Sequence, residues 1–462
     1  MNAVYRSVNP ATGALVDEYP VLGDYAAESV LSAAHRAFGS WRETSAAYRV
    51  ALYRRLVEAL ADRQEELARR ITVEMGKPIG QSLAEVDLVT TIISFYAENG
   101  ERFLEDTVLD VPGLEHTVMR REPVGVVLGI EPWNAPLYQA VRTAAPNLML
   151  GNAVMIKPAE QCAGATLLLD ELFAHAGFPA GVFQTVLISH GQIARFIADD
   201  RVRAIGFTGS DQAGKTIGAL AGENVTPVTL ELGGSDAFLV LDSADAREAA
   251  GVASSCRLFI GGQVCTSPKR MIVTEKVADD FIAGVVEAFS AQVVGDPCDP
   301  ATTVGPLSSV SAAAHIEDLV RDAIEKGATV LVPGGRVSSE SAFFAPMVLT
   351  DLTAEMRVYH EEVFGPVALV FRVPDAAAAV ALANSSRYGL GASVFARDLT
   401  EAWGAAHQLD TGMVGINTFM GGPVEIPFGG TKASGVGREL GPNGMDGFAN
   451  IKTYGSLVGS QP

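Results

Sequence analysis

Val124-Gly125-Val126-Val127-Leu128-Gly129-Ile130-Glu131-Pro132-Trp133-Asn134-Ala135-Pro136 decides the fold. Residues 124–130 are apolar or glycine with no polar alternation, so they read as a strand buried on both faces. Pro136 suits the first turn of a following helix, where a missing N–H costs nothing. The same unit recurs downstream. Residues 154–157, 182–187, 202–207 and 228–232 read as further buried strands, with helical stretches such as 163–176 and 212–221 between them. Strands alternating with helices in this way form a parallel, doubly wound α/β sheet with helices on both faces.

Upstream, Val30, Ala33, Ala34, Ala37, Phe38 and Trp41 recur at helical spacing, and Leu52, Leu56, Leu60 and Leu67 continue the pattern until Gly76-Lys77-Pro78. The chain before residue 107 is therefore largely helical. Downstream, a second α/β round has strands at 237–241, 271–273, 329–332, 367–373 and 392–396, around helices near 279–291, 312–326, 376–384 and 400–408. Two stretches fit neither sheet: 107–122, a hairpin around Pro112-Gly113, and 451–458, a late strand. Their free edges predict pairing with a partner subunit.

The 462 residues exceed what one core organises, so two or three packed domains are expected. The net charge of −20, with no basic patch, argues against a nucleic-acid surface. No apolar run approaches the ~20 residues of a membrane span, and the start lacks a charged-then-apolar signal pattern, so a cytoplasmic location is expected. Four cysteines without a C-x-x-C pair fit a reducing compartment, and the seven histidines show no ligand spacing, so no metal site is expected.

Three residue types suggest chemistry. Cys265, in Gly262-Gln263-Val264-Cys265-Thr266-Ser267, is either a small core residue or a nucleophile. Glu231 ends the apolar run Val228-Thr229-Leu230-Glu231-Leu232; it faces solvent or serves as a general base. Asn134, at a strand-to-helix junction, is an N-cap or an oxyanion donor. A cofactor clue lies in Phe207-Thr208-Gly209-Ser210-Asp211-Gln212-Ala213-Gly214, where backbone N–H groups and the Ser210 hydroxyl suit a phosphate. The G-x-G-x-x-G fingerprint is absent at every strand-to-helix turn. Lys157 and Glu160 are a solvated pair or ribose ligands, and a glutamate there repels a 2′-phosphate, favouring NAD over NADP.

In order along the chain, Pro132-Trp133-Asn134, Lys157 to Glu160, Phe207 to Gly214, Glu231 to Gly234, Gly262 to Cys265, Glu361-Glu362-Val363-Phe364-Gly365-Pro366 and Pro427-Phe428-Gly429-Gly430 resemble the aldehyde dehydrogenase superfamily. The resemblance runs from Asn9-Pro10-Ala11-Thr12-Gly13 to the end of the chain. It implies an NAD-binding domain in two pieces (1–106 and 123–233), a catalytic domain (234–446) and an oligomerisation element (107–122 and 447–462) of a homodimer or homotetramer. It implies Cys265 as nucleophile, Asn134 and the Cys265 N–H as oxyanion hole, and Glu231 as general base. Ile130, Pro132, Trp133, Lys157, Glu160, Gly209, Ser210, Glu362 and Phe364 fall to the cofactor, NAD with NADP as an option. The implied reaction oxidises an aldehyde through a thiohemiacetal and a thioester, which water then hydrolyses. The presence of Glu231 argues against transfer of the acyl group to CoA.

Arg142 lies eight residues after Asn134 on the same helix face, with Tyr138 beside it. Succinate-semialdehyde dehydrogenases place an arginine there to grip a carboxylate, and the chain resembles a short branch of these enzymes. An acidic neighbour is the other partner open to Arg142. Many such enzymes add an arginine six residues before the nucleophile and a serine five residues before the Pro-Phe-Gly-Gly run, where this chain has Phe259 and Gly422. The stretch Phe419-Met420-Gly421-Gly422-Pro423 is apolar, so an aromatic or aliphatic aldehyde is the alternative substrate, with Phe419 lining the pocket. A catalytically retired structural or binding protein is the alternative of another kind.

Overall fold

The computed structural model describes residues 3–458. Its first sheet has the spatial order Gly435–Val436, Val228–Glu231, Val202–Thr208, Val126–Ile130, Ala153–Lys157, Phe183–Thr185. All neighbours are parallel except Gly435–Val436, which runs antiparallel to Val228–Glu231. Strand order reverses beside Val126–Ile130, and the crevice outside the carboxyl ends at such a reversal is where open sheets bind ligands.

Every residue of Val126–Ile130 and Ala153–Lys157 is buried, which is why both read as unbroken apolar runs. Val126, Leu128 and Ile130 pack with Ala27, Leu31, Ala34 and Phe38 of the helix Asp24–Trp41. Val127 points the other way, into a core with Leu137, Val141 and Leu148 of the helix Pro136–Leu150. Each such buried aliphatic side chain contributes about 1.5–3 kcal/mol.

Four helices (Asp24–Trp41, Ala46–Asp62, Gln64–Met75 and Ile79–Phe103) fill the amino-terminal part, as the spacing predicts. They are preceded by a hairpin, Val4–Val8 against Leu15–Pro20, that the sequence reading does not contain. Its second strand has no buried residue, so no alternation advertises it.

The second sheet has the order Thr329–Val332, Met347–Thr350, Val367–Val373, Arg270–Thr274, Ala237–Val240, Gly391–Phe395, Met413–Ile416. Only the first pair is antiparallel. Met347–Thr350, Met413–Ile416 and the Ala- and Ser-rich helix Ala246–Leu258 were not expected: four-residue strands and a helix of small residues carry a weak apolar pattern. The chain leaves Glu231 at the carboxyl end of the first sheet and enters the amino end of Ala237–Val240 in the second. Cys265 and Glu362 lie in loops entering Arg270–Thr274 and Val367–Val373, at that same amino edge.

The remaining element is a three-stranded sheet, Ala449–Ser456, His116–Pro123, Thr107–Val108. The late strand pairs antiparallel along its whole length with His116–Pro123 of its own chain. The two stretches expected to offer free edges thus pair first with each other, leaving Ala449–Ser456 and Thr107–Val108 as the outer strands of the sheet. Residues 459–462 of the expected oligomerisation element lie outside the described residues. Among the described residues no helix is long and apolar enough to cross a membrane.

Candidate active site

Between the two sheets lies a cavity of about 480 Å³ whose lining includes Asn134, Glu231 and Cys265. Pro132, Trp133, Gly209, Ser210, Glu362 and Phe364 line it too. A smaller cavity of about 120 Å³ shares Asn134 and Cys265 with it and is lined by Tyr138 and Arg142. Ile130, Lys157 and Glu160 line neither; they sit at or just past the carboxyl ends of Val126–Ile130 and Ala153–Lys157. Phe419 also lines neither, lying instead in a separate crevice with Asp236, Thr266 and Met420.

Two buried cations shape the Cys265 loop from behind. Lys269 Nζ donates to the carbonyls of Val264 (2.9 Å) and Cys265 (2.6 Å) and pairs with Glu362 Oε1 at 3.1 Å. Arg257 donates to the Gly262, Val363 and Val367 carbonyls and to Ser267 Oγ, so it ties the Cys265 loop to the Glu362 segment. Neither residue was singled out from the sequence. The available signal was a pair of basic residues eight before and four after the cysteine, in an otherwise uncharged stretch. Gly262, at φ +74°, makes the turn possible, since a Cβ there would sit 2.3 Å from the Gly365 carbonyl oxygen.

Burial pushes the Cys265 thiol up to about 11, although the charges of Arg142 and Lys269 pull it down. A thiol so placed is protonated at neutral pH and needs a base to become a nucleophile. Both Glu231 oxygens are buried without a hydrogen-bond partner. Burial first, and the charge of Glu439 second, hold this carboxyl well above its usual range. A carboxyl so raised is a stronger base than one in water. Gly429 gives it room, as a Cβ there would lie 2.5 Å from Glu231 Oε1.

The Asn134 amide donates to the Gln263 carbonyl at 3.1 Å, so the two segments carrying Asn134 and Cys265 are joined directly. Asn134 Oδ1 is buried and unpaired. Local sequence allowed this residue to be only an N-cap, but Ala135 is the N-cap of Pro136–Leu150, and no side-chain cap is made there.

Arg142 is only 1% exposed and ion-paired with Glu439, and its Nη2 donates to Thr208 Oγ1 at 3.1 Å. Its guanidinium also stacks on Phe428, 4.6 Å from the ring centre, and on Tyr138 at 5.2 Å. The acidic-neighbour reading of Arg142 is thus realised within the protein. Glu131 completes the cluster, accepting from Thr143 Oγ1 at 2.7 Å, and burial and Glu439 raise its carboxyl above the ordinary range. Arg142→Leu is expected to cost about 3–5 kcal/mol of stability, because it strands Glu439 and its acidic neighbours without a cation. Chemical denaturation checks this, with Arg142→Leu/Glu439→Leu expected to recover most of the loss.

On the other wall, Glu362 Oε1 accepts from the Gly234 N–H at 3.1 Å, and the Trp133 and Phe364 rings meet edge to face at 5.8 Å. Ser210 caps the helix Asp211–Glu223 by accepting from the Ala213 N–H. Lys157 is buried, its ammonium 5.3 Å from the Tyr5 ring centre, while Glu160 is exposed. A dinucleotide fits these residues chemically: hydroxyl and N–H donors at a helix start for phosphates, aromatic rings for a nicotinamide, a carboxylate for ribose hydroxyls.

The description "Aldehyde dehydrogenase family" matches residues 2–454. A succinate-semialdehyde dehydrogenase [NADP(+)] of Deinococcus radiodurans is 45% identical over 97% of this chain and 94% of that protein. The crystal structure of succinic semialdehyde dehydrogenase from Streptococcus pyogenes in complex with NADP+ superposes with a TM-score of 0.95 at 35% identity, covering 97% of this chain and 99% of the other. Betaine aldehyde dehydrogenase from Staphylococcus aureus in complex with NAD+ gives a TM-score of 0.93 at 31% identity, covering 100% and 92%. Likeness along nearly the whole length, in a chain that brings a thiol, a buried carboxyl and an amide to one cleft, settles the matter: this chain belongs to the aldehyde dehydrogenase family and oxidises an aldehyde with a nicotinamide cofactor.

Proposed function

We propose that the chain oxidises succinic semialdehyde to succinate, with Cys265 as nucleophile, Glu231 as general base, and Asn134 with the Cys265 N–H as oxyanion donors. The supporting observation is that all three residues line one cavity, and that Asn134 and Cys265 also line the neighbouring cavity with Arg142 and Tyr138. Glu231 takes the thiol proton, directly or through water, and Cys265 adds to the carbonyl carbon. Asn134 and the backbone N–H stabilise the oxyanion. As the oxyanion collapses to the thioester its carbon loses a hydride, for which a nicotinamide held by Trp133, Glu362 and Phe364 would supply the acceptor. Glu231 then deprotonates a water that attacks the thioester, releasing the acid and restoring the thiol.

The distal carboxylate has one cationic edge to meet: Arg142 Nη1 makes only a 3.5 Å contact, to Tyr138 OH. Because Glu439 already neutralises Arg142, a neutral aliphatic or aromatic aldehyde is the second reading, and Phe259, Tyr138 and Phe428 on the cavity wall suit it. A substrate panel decides between them. The proposal expects kcat/KM for succinic semialdehyde to exceed that for butanal and benzaldehyde by at least about tenfold, the worth of one charge-assisted hydrogen bond. Equal values favour the second reading.

For the cofactor, the two succinate-semialdehyde dehydrogenases among the named relatives favour NADP, the betaine aldehyde dehydrogenase holds NAD+, and Glu160 opposes a 2′-phosphate. Glu160 is exposed, so it can turn into solvent while Lys157 meets the phosphate; we propose NADP as the working cofactor, with NAD accepted. Glu160→Gln is then expected to raise kcat/KM for NADP about fivefold, a surface-charge effect, with NAD changed by less than about twofold. Steady-state assays with both cofactors check this. The exposed apolar residues Val108, Leu109, Leu114, Ile451 and Leu457 on the three-stranded element support a homo-oligomer.

A further inference from the structure

The lining of the cavity beside Cys265 offers the phosphates of a dinucleotide little positive charge. Its lining carries four carboxyl side chains, Asp211, Glu231, Glu361 and Glu362. Lys269 answers Glu362 from behind, and Arg357 answers Glu361 at 2.7 Å. Apart from His315, the only basic side chain on the lining among the described residues is Arg387.

Arg387 does not sit idle. Its Nη1 pairs with Asp211 Oδ2 at 2.8 Å, its Nη2 donates to Tyr388 OH at 2.7 Å, and its plane lies 4.6 Å from the Tyr388 ring centre. Asp211 is the first residue of Asp211–Glu223, beside Ser210 and following the central strand Val202–Thr208 of the first sheet. Arg387 precedes Gly391–Phe395 of the second sheet. The ion pair therefore bridges the two sheet units across the cavity. It is also poised to change: the Arg387 side chain is 50% exposed and that of Asp211 only 18%. A carboxylate at a helix start competes with a phosphate for the same N–H groups and the same positive field.

We infer that Arg387 is a cofactor-positioning residue, which leaves Asp211 to pair with the pyrophosphate of the incoming dinucleotide, so that the Asp211–Arg387 pair is a latch opened by cofactor binding. The inference rests on the nicotinamide-cofactor reading of this cavity. The guanidinium exchanges one anion for another, and Tyr388, which holds its other edge, keeps it at the cavity wall. Asp211 thereby acts against binding, both by holding Arg387 and by repelling the phosphates.

The two partners of a latch have opposite effects on affinity, whereas two partners of a merely structural ion pair have the same effect. Equilibrium titration of the purified protein with NADPH, followed by its fluorescence, reads this without turnover. Arg387→Gln is expected to raise the NADPH Kd about fivefold, and Asp211→Asn to lower it about threefold, the modest values that partly exposed charges allow. Arg387→Lys is expected to restore most of the affinity. The dependence of Kd on salt is expected to be shallower in Arg387→Gln, as one cation fewer meets the ligand. Shifts of the same sign in Arg387→Gln and Asp211→Asn, or no shift in either, overturn the latch while leaving the cofactor reading intact. Failure of the wild-type protein to bind either NADPH or NADH overturns that reading and the latch with it.

Discussion

Cys265→Ala abolishes turnover, with kcat/KM expected to fall by about four orders of magnitude or more, as when a covalent nucleophile is removed. Nothing else in the cavity replaces it. Cys162 is fully buried, Cys256 lies on the helix Ala246–Leu258, and Cys298 is exposed; none lines the cavity. The variant keeps its fold, because Lys269 and Arg257 hold the loop through backbone carbonyls and Ser267 rather than through the sulfur. Cofactor binding and the melting curve are therefore expected to be unchanged, and turnover above a thousandth of wild type would remove Cys265 from its role. The raised thiol pKa gives the same residue a pH signature. Below a pKa of about 11 the thiolate fraction rises about tenfold per pH unit, so alkylation of Cys265 by iodoacetamide is expected to accelerate at that rate from pH 7 to 9. Mapping the modified peptide by mass spectrometry checks it, and a pH-independent rate would show a thiolate already formed.

Much of the architecture was legible because burial on two faces leaves an unbroken apolar run that nothing else in the sequence imitates. Val126–Ile130 and Ala153–Lys157 are such runs, and both were readable to within a few residues. The hairpin Val4–Val8 and Leu15–Pro20 was not, because it lies on the surface and buries little beyond Tyr5 and Ser7. The strand at 451–458 was legible as a strand, but its partner was not, since β-pairing is a long-range choice that local pattern does not encode.

The site divides in the same way. Glu231 ends a strand and Asn134 lies between a strand and a helix, where a polar residue in an apolar context is conspicuous, while Cys265 lies in a glycine-led loop ahead of Arg270–Thr274. Arg142 was conspicuous too, but its use was not. The guanidinium reads as available until Glu439, far along the chain in a glycine-rich stretch, is seen to occupy it. Lys269, Arg257 and Asp211 act through backbone carbonyls or across the cavity, and such contacts exist only once the two sheets have met.

Glu231→Gln is expected to split the reaction in two. The amide is nearly isosteric, so the cavity and the neighbouring Gly429 are undisturbed, but it accepts no proton at any accessible pH. Acylation still proceeds at raised pH, where solvent deprotonates Cys265, and each enzyme molecule yields one equivalent of reduced cofactor in a burst. Hydrolysis of the thioester then stalls, lowering the steady-state rate about 10²- to 10⁴-fold, the usual worth of a positioned general base. Stopped-flow absorbance reads the burst, and intact-mass spectrometry is expected to show the acyl group retained on the protein and mapped to Cys265. The carboxylate also matters through its charge. Glu439 raises the Glu231 carboxyl, so Glu439→Gln is expected to move the acidic limb of the wild-type rate profile to lower pH, the direction in which loss of a like charge shifts a carboxyl. A Glu231→Gln variant without a burst would assign Glu231 to thiol activation alone. One with a wild-type steady-state rate would show that water reaches the thioester without it.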